Sequence, residues 1–146
     1  MPWNKWTELT TDSQYYGAAL YELRLRTASG PIAIPRFLGT DSSGLLTIGH
    51  TKNMETRRTQ FLRAIEKGRG HSEGNLLYYL LKHSPIRKVH PEHALEYRFR
   101  EERDKATAKL AEAGQIKGYI REFGEAPPLN CAIPDRYGDW KFKYVR

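Results

Sequence analysis

The stretch LLTIGHTKNMETRRTQFLRAI, residues 45–65, decides the fold. Its first residues form an apolar run typical of a short buried strand, and Gly49 ends that run. Asn53 is a good helix N-cap, and Glu55 lies in the first turn, where the helix dipole favours an acidic side chain. The stretch therefore predicts a strand, a tight turn and a helix that bears Arg57, an arrangement suited to holding a guanidinium over a phosphate.

The same helix and its exit loop are rich in basic side chains. Such a cluster predicts a surface that follows a nucleic-acid backbone and contacts phosphates rather than reading bases. The alternative for each of these side chains is a solvated position on the surface of the helix. The predicted nucleic-acid-binding residues are Lys52, Arg57, Arg58, Arg63, Lys67, Arg69 and His71.

The composition of the whole chain bounds its class. With 146 residues, 39% of them hydrophobic and 12% aromatic, the chain has the length and the apolar content of one globular domain. Its formal net charge of +7 favours a polyanionic partner. Cys131 is the only cysteine, which excludes an intrachain disulfide and a cysteine-based zinc site. We find no apolar signal core and no membrane span in the sequence, so we expect a cytoplasmic protein without a membrane partner.

Further strands and helices follow from periodicity and capping. Residues 19–26 and 93–100 alternate apolar with charged side chains, which is typical of half-buried strands. The segment NLLYYLLKH predicts a second helix that begins at the cap Asn75. Asp104 caps a long third helix that ends at Phe123, before a glycine in the usual C-terminal position.

The remaining segments are predicted as connections and chain ends. Turn residues dominate the 27–44 connection, and 86–91 is a basic connector before the third strand. Trp3 and Trp6 predict a short helical turn packed on the core, with an arm that stacks on bases as the alternative. Alternation in residues 140–144 predicts an edge strand.

These elements predict an α/β (α+β) fold in the order β-β-α-α-β-α. The sheet would be three-stranded, antiparallel and flanked by helices, in a single domain over residues 1–146 with its core at about residues 17–131.

Two half-motifs and a C-terminal block resemble the GIY-YIG nuclease family. The segment Thr47-Ile48-Gly49-His50-Thr51-Lys52-Asn53, with Arg57 ten residues after Thr47, resembles the second half-motif. In that family a Tyr-Ile-Gly strand end is followed by a lysine- and asparagine-containing turn, and then by a helix with an essential arginine. Ala19-Leu20-Tyr21 stands in the place of the first half-motif. Residues 112–130 resemble the block that carries a metal-binding glutamate and, after a proline-containing turn, an asparagine.

The resemblance implies a divalent-metal-dependent endonuclease that hydrolyses DNA phosphodiester bonds. Arg57 would clamp the phosphate, and Glu112 would hold one Mg²⁺ or Mn²⁺ ion. Asn130 would brace the site, and Tyr21 would position or deprotonate the attacking water. His50 is the candidate general base, with a plain turn histidine as its alternative.

The chain departs from the family pattern at two positions. Thr47 replaces the second tyrosine of the motif, and Phe61 stands where family members often carry a histidine. His71, in the glycine-rich loop, is a second candidate to replace that histidine. Two other readings therefore stay open: an inactive DNA-binding or accessory module, and a basic RNA- or ribosome-associated protein.

The expected substrate is DNA, including branched or single-stranded forms, in a bacterial, phage or mobile-element context. Specificity would come from a homodimer or from the loops at residues 27–44 and 68–74.

Overall fold

The structure, a computed structural model, describes residues 2–131. Within this range the strands are β1 (Thr7–Glu8), β2 (Ala19–Thr27), β3 (Gly30–Pro31), β4 (Ile34–Arg36), β5 (Gly39–Asp41), β6 (Leu45–Thr51) and β7 (Ala94–Glu101). The helices are α1 (Met54–Lys67), α2 (Ser72–His83), α3 (Ile86–Val89) and α4 (Lys105–Phe123).

The main sheet is antiparallel and has β2 at its centre. β6 pairs with one side of β2 and β7 with the other, while the short strands β1 and β3 extend β7 and β2. β4 and β5 form a separate two-stranded sheet. The fold is thus α+β, as predicted. The predicted count of three strands differs from the five strands that the structure gives the main sheet.

Side chains along β2 alternate between the two faces of the sheet, and helices pack on both faces. Tyr21 and Leu23 belong to the core cluster that also holds Phe61 of α1 and Leu77 of α2. Leu20 belongs to a second cluster, built on α4. Residues on opposite faces of β2 are therefore placed under different helices.

The predicted start of α1 and both predicted ends of α4 are confirmed. The side chain of Asn53 accepts a hydrogen bond from the Thr56 amide at 3.0 Å, and Gly68 ends α1 in the left-handed region with φ 73°. Asp104 accepts from the Thr107 amide at 2.8 Å and begins α4. These boundaries agree with local capping rules: a side-chain acceptor at the start of each helix and a left-handed glycine after its end.

Other boundaries differ from the sequence expectation. His71, rather than Asn75, caps α2, because its Nδ1 accepts a hydrogen bond from the Gly74 amide at 3.2 Å. The predicted connector 86–91 contains the short helix α3, and the 27–44 connection contains β3, β4 and β5.

The N-terminal segment joins the main sheet along β7. Trp3 forms an antiparallel bridge with Arg100 rather than starting a helical turn, because the edge of β7 offers it a backbone partner. The strand predicted at 140–144 lies outside the described residues. No helix within residues 2–131 combines the length and apolar character needed to cross a membrane.

Candidate active site

Tyr21 and Gly49 face each other across β2 and β6, and the pair defines the site. They are direct register partners, and Tyr21 is only 2% exposed. A Cβ built on Gly49 would lie 2.3 Å from both the Cζ and the hydroxyl of Tyr21. The tyrosine ring therefore occupies the space that any other residue at position 49 would need.

Arg57, on the first turns of α1, is held by three hydrogen bonds. Its Nη1 donates to the Tyr21 hydroxyl at 3.0 Å and to the His50 carbonyl at 3.2 Å, and its Nε donates to Gln60 Oε1 at 3.0 Å. Within residues 2–131, Nη2 has no protein hydrogen-bond partner. The guanidinium is thus fixed in place with one donor nitrogen left for a ligand.

His50 and Glu112 form a pair on the other side of β6. His50 Nδ1 lies 2.9 Å from Glu112 Oε2, and the two side chains are 20% and 15% exposed. Because an ionised carboxylate only accepts hydrogen bonds, we assign the proton to Nδ1. The lone pair of the neutral ring is then on Nε2, so this pair can accept a proton from a bound water.

Burial governs the ionisation of Tyr21. It raises the pKa of the phenol well above the ordinary value of 10.0, and the nearby charge and hydrogen bond of Arg57 only partly oppose this rise. The charges of Glu73 and Glu112 add to this rise. Tyr21 therefore stays protonated near neutral pH and is suited to positioning rather than to accepting a proton.

Asn130 ties the C-terminal segment to the free edge of β6. Its Oδ1 accepts from the Ile48 amide at 3.0 Å, and its Nδ2 donates to the Ile48 carbonyl at 2.9 Å. The residue before it is tied to β6 as well, because the Leu129 amide donates to the Leu46 carbonyl at 2.9 Å. The asparagine thus takes the hydrogen-bonding role of a neighbouring strand and holds the part of β6 that leads into the site.

The positions that depart from the family pattern lie close to this cluster. Thr47 is 1% exposed and pairs with Leu23, so it is part of the sheet interior. Phe61 packs edge-on against Tyr21, with 5.7 Å between ring centroids, and its ring also contacts His71 at 4.4 Å. Burial, together with the charge of Arg57, lowers the pKa of His71 and favours the neutral ring.

Some residues of the predicted basic surface are exposed, and one is buried. Lys52, Arg63, Lys67 and Arg69 are exposed on α1 and its flanking loops. Arg58 is only 7% exposed and binds Glu55 through Nε and Nη2, while its Nη1 donates to the Leu9 carbonyl at 2.8 Å. Arg58 therefore joins α1 to the N-terminal segment and does not belong to the exposed surface.

Gln60 and Gly49 shape the site in ways that the sequence patterns do not indicate. Gln60 orients Arg57, and its position three residues later on the same helix is the signal that could have found it. The sequence predicts that the strand ends at Gly49, but this is wrong: β6 continues to Thr51 because His50 and Thr51 also pair with β2. The contribution of Gly49 depends on its register with Tyr21, which no local pattern reveals.

Glu112 is the residue that could hold a cation here. Its Oε2 contacts His50, and Oε1 has no protein hydrogen-bond partner within residues 2–131. No group of three or more His, Cys, Asp or Glu side chains suited to a metal occurs in this part of the chain. One carboxylate oxygen completed by water and a substrate phosphate is an ordinary arrangement for Mg²⁺, so the donor set fits this ion.

The geometry brings together Tyr21, His50, Arg57 and Glu112, with Asn130 as a brace, at the end of β6. Searches against protein-family models, curated proteins and solved structures gave no match to this chain.

Proposed function

We propose that the protein is a divalent-metal-dependent endonuclease that hydrolyses DNA phosphodiester bonds, of the GIY-YIG type. The observation that supports this most directly is the cluster itself. A fixed guanidinium donates to a protonated phenol and to the backbone carbonyl of His50, and the ring of the same histidine pairs with the Glu112 carboxylate, all near the end of β6. These are the groups that phosphodiester hydrolysis requires: a cation for the developing charge and an acceptor for the proton of water.

Each side chain has a distinct part in the reaction. Arg57 binds a non-bridging phosphate oxygen through Nη2, while its contacts with Tyr21 and Gln60 keep the guanidinium from turning away. His50 Nε2 takes a proton from the attacking water, and Glu112 stabilises the imidazolium that results. The water oxygen bonds to phosphorus as the bond from phosphorus to the leaving sugar oxygen breaks. That leaving oxygen takes a proton from solvent.

Glu112 would also hold the metal ion through Oε1. When bound, a divalent cation supplies a Lewis acid that neutralises charge on the phosphate. The two carboxylate oxygens of Glu112 therefore have separate tasks, one toward His50 and one toward the cation.

Cleavage of DNA by three proteins tests the proposal. Supercoiled plasmid and branched or single-stranded DNA are incubated with wild type, Glu112→Ala and Arg57→Ala, in Mg²⁺, Mn²⁺ or EDTA. We expect metal-dependent cutting by wild type and a loss of at least about a hundredfold in each variant, since each removes a group that acts in the transition state. Thr56→Ala, on the exposed side of α1, is the matched control and should cut like wild type.

If wild type binds DNA but never cuts, the protein is a DNA-binding module and the nuclease proposal fails. A strong preference for RNA over DNA, together with indifference to Glu112→Ala, would instead indicate an RNA-associated protein.

A further inference from the structure

A polar cavity of about 560 Å³ lies beside the proposed active site, between α4 and the central strands of the sheet. Its lining includes Glu22 of β2, Arg98 of β7 and three residues of α4: Gln115, Gly118 and Glu122. Gln115 follows Glu112 by three residues, which is less than one helical turn. The cavity is therefore next to the catalytic cluster, but none of the side chains of that cluster lines it.

The guanidinium of Arg98 is held in place by the Glu22 carboxylate and by two tryptophan rings. Glu22 Oε1 accepts from its Nε at 2.8 Å and lies 2.7 Å from its Nη2. The Trp3 and Trp6 rings lie over the guanidinium, at 4.3 and 4.8 Å from its carbon. Within residues 2–131, Nη1 has no protein hydrogen-bond partner. Arg98 thus lines the cavity with its orientation set by Glu22 and the two tryptophans, and Nη1 is its nitrogen left without a partner in this part of the chain.

Gln115 lines the same cavity and supplies an acceptor. Its Nε2 donates to Glu22 Oε2 at 3.4 Å, which directs the amide so that Oε1 is the atom left without a protein partner in the described part of the chain. Glu122 adds an exposed carboxylate at the rim. A ligand that meets both groups must carry an acceptor for Arg98 and an N–H donor for Gln115.

The charge of the lining excludes a phosphate as the occupant. Glu22, Asp41 and Glu122 outnumber Arg98, and both Asp41 and Glu22 are at most 2% exposed. The rings of Tyr119 and Phe123 add apolar walls. This mixture of apolar walls and fixed polar atoms suits a flat, uncharged group with donors and acceptors along its edge.

We propose that this cavity binds an unpaired nucleobase of the substrate, from the nucleotide next to the bond that is cut. The inference rests on the proposed nuclease function, because only a nucleic-acid substrate brings a base to this position. A paired base cannot enter, since its hydrogen-bonding edge is occupied by its partner strand. The preferred substrate is therefore DNA with an unpaired or flipped nucleotide beside the scissile phosphate.

Two glycines of α4 allow a matched test. A Cβ built on Gly114 or on Gly118 meets nothing within 4 Å, and both residues are exposed, but only Gly118 lines the cavity. Gly118→Leu places a bulky side chain at the cavity, whereas Gly114→Leu gains the same helix propensity outside it. Gln115→Ala is a second variant that removes the acceptor and leaves the volume open.

Binding is measured in EDTA, so that cleavage does not interfere, by fluorescence anisotropy of labelled DNA duplexes. One duplex carries a single unpaired nucleotide, and a second carries an abasic sugar at the same place. We expect wild type and Gly114→Leu to bind the first duplex about tenfold more tightly, the usual size of a base contact. Gly118→Leu and Gln115→Ala should bind both duplexes with similar affinity.

The proposal is overturned if wild type does not distinguish the two duplexes, or if Gly118→Leu retains the preference. Because this assay needs no cleavage, its outcome is separate from that of the nuclease proposal. Base preference without cutting would support the cavity assignment and contradict the nuclease. Cleavage without base preference would support the nuclease proposal and contradict the cavity assignment.

Discussion

At the scale of single residues, Gly49 has the strictest steric requirement in the candidate site. Its missing side chain makes room for the ring of Tyr21, which in turn accepts a hydrogen bond from Arg57. A methyl group at position 49 would stand 2.3 Å from the phenol. Position 49 therefore controls the guanidinium indirectly, through the tyrosine.

We expect Gly49→Ala to lower the rate of DNA cleavage by about ten- to a hundredfold, because displacing a positioning group from a site costs roughly this much. Overpacking should also destabilise the fold by about 1–3 kcal/mol. Plasmid cleavage and urea unfolding measure the two effects. Gly114→Ala is the control, and it should stabilise α4 by up to about 1 kcal/mol and leave cleavage unchanged. Wild-type cleavage by Gly49→Ala would contradict the proposed part of Tyr21.

The residue scale also shows where the sequence is informative. Tyr21, Arg57 and Glu112 were indicated by the resemblance to the GIY-YIG pattern, and in the structure Arg57 bonds Tyr21 and the His50 carbonyl while Glu112 bonds the His50 ring. Gln60 and the partners of Arg98 were not singled out. Their contacts depend on how the helices pack and on the register of β2 with β7, which short sequence patterns do not encode.

At the scale of secondary-structure elements, the start of α1 and both ends of α4 could be predicted because capping is a local interaction. The start of α2 could not. Asn75 has a typical capping side chain, but His71 takes this role with its ring packed on Phe61 of α1. The strands between residues 27 and 44 were missed for a similar reason, since they are very short and depend on their partners.

The ion pair between Glu55 and Arg58 joins α1 to the N-terminal segment and gives the fold a defined acid sensitivity. Hydrogen bonds from Arg58, and further ones from Ser13, lower the pKa of Glu55 from 4.5 to about 2. The folded state thus favours the ionised carboxyl. Its stabilisation is complete above pH 4.5 and is lost as the pH falls toward 2.

We expect Glu55→Gln to reduce the loss of stability between pH 6 and pH 3 by on the order of 2 kcal/mol relative to wild type. Urea unfolding at a series of pH values measures this slope. Glu66→Gln, an exposed change on the same helix, should leave the slope as it is in wild type. Equal slopes for all three proteins would show that Glu55 titrates alike in the folded and unfolded chains.

At the scale of the whole molecule, the fold class could be predicted from element order and alternation, because an antiparallel sheet covered by helices is the usual way to bury such strands. The position of the polar cavity could not. Its lining includes Glu22 of β2, Arg98 of β7 and Gln115 of α4, which lie far apart in the sequence. The net charge of +7 could be read from the composition, but the basic surface could be predicted only in part, because Arg58 is buried against Glu55 while Arg63, Lys67 and Arg69 are exposed.

The distribution of basic side chains over the surface leads to a prediction about salt. Arg63, Lys67 and Arg69 are exposed together on α1 and the loop after it, whereas Lys82, Arg87 and Lys88 are exposed on α2 and α3. If the first group contacts DNA phosphates, each contact releases counterions and adds about 0.9 to the slope of log K against log salt. The triple alanine variant of the first group should therefore lower this slope by up to about 3.

The triple alanine variant of the second group removes the same charge and is the matched control. We expect it to weaken binding slightly at low salt, through the long-range field alone, with little change in slope. Fluorescence anisotropy of a DNA duplex from about 50 to 200 mM salt covers the range in which the difference is large. Equal slopes for the two triple variants would mean that binding follows net charge, and that α1 does not form the surface that meets the DNA backbone.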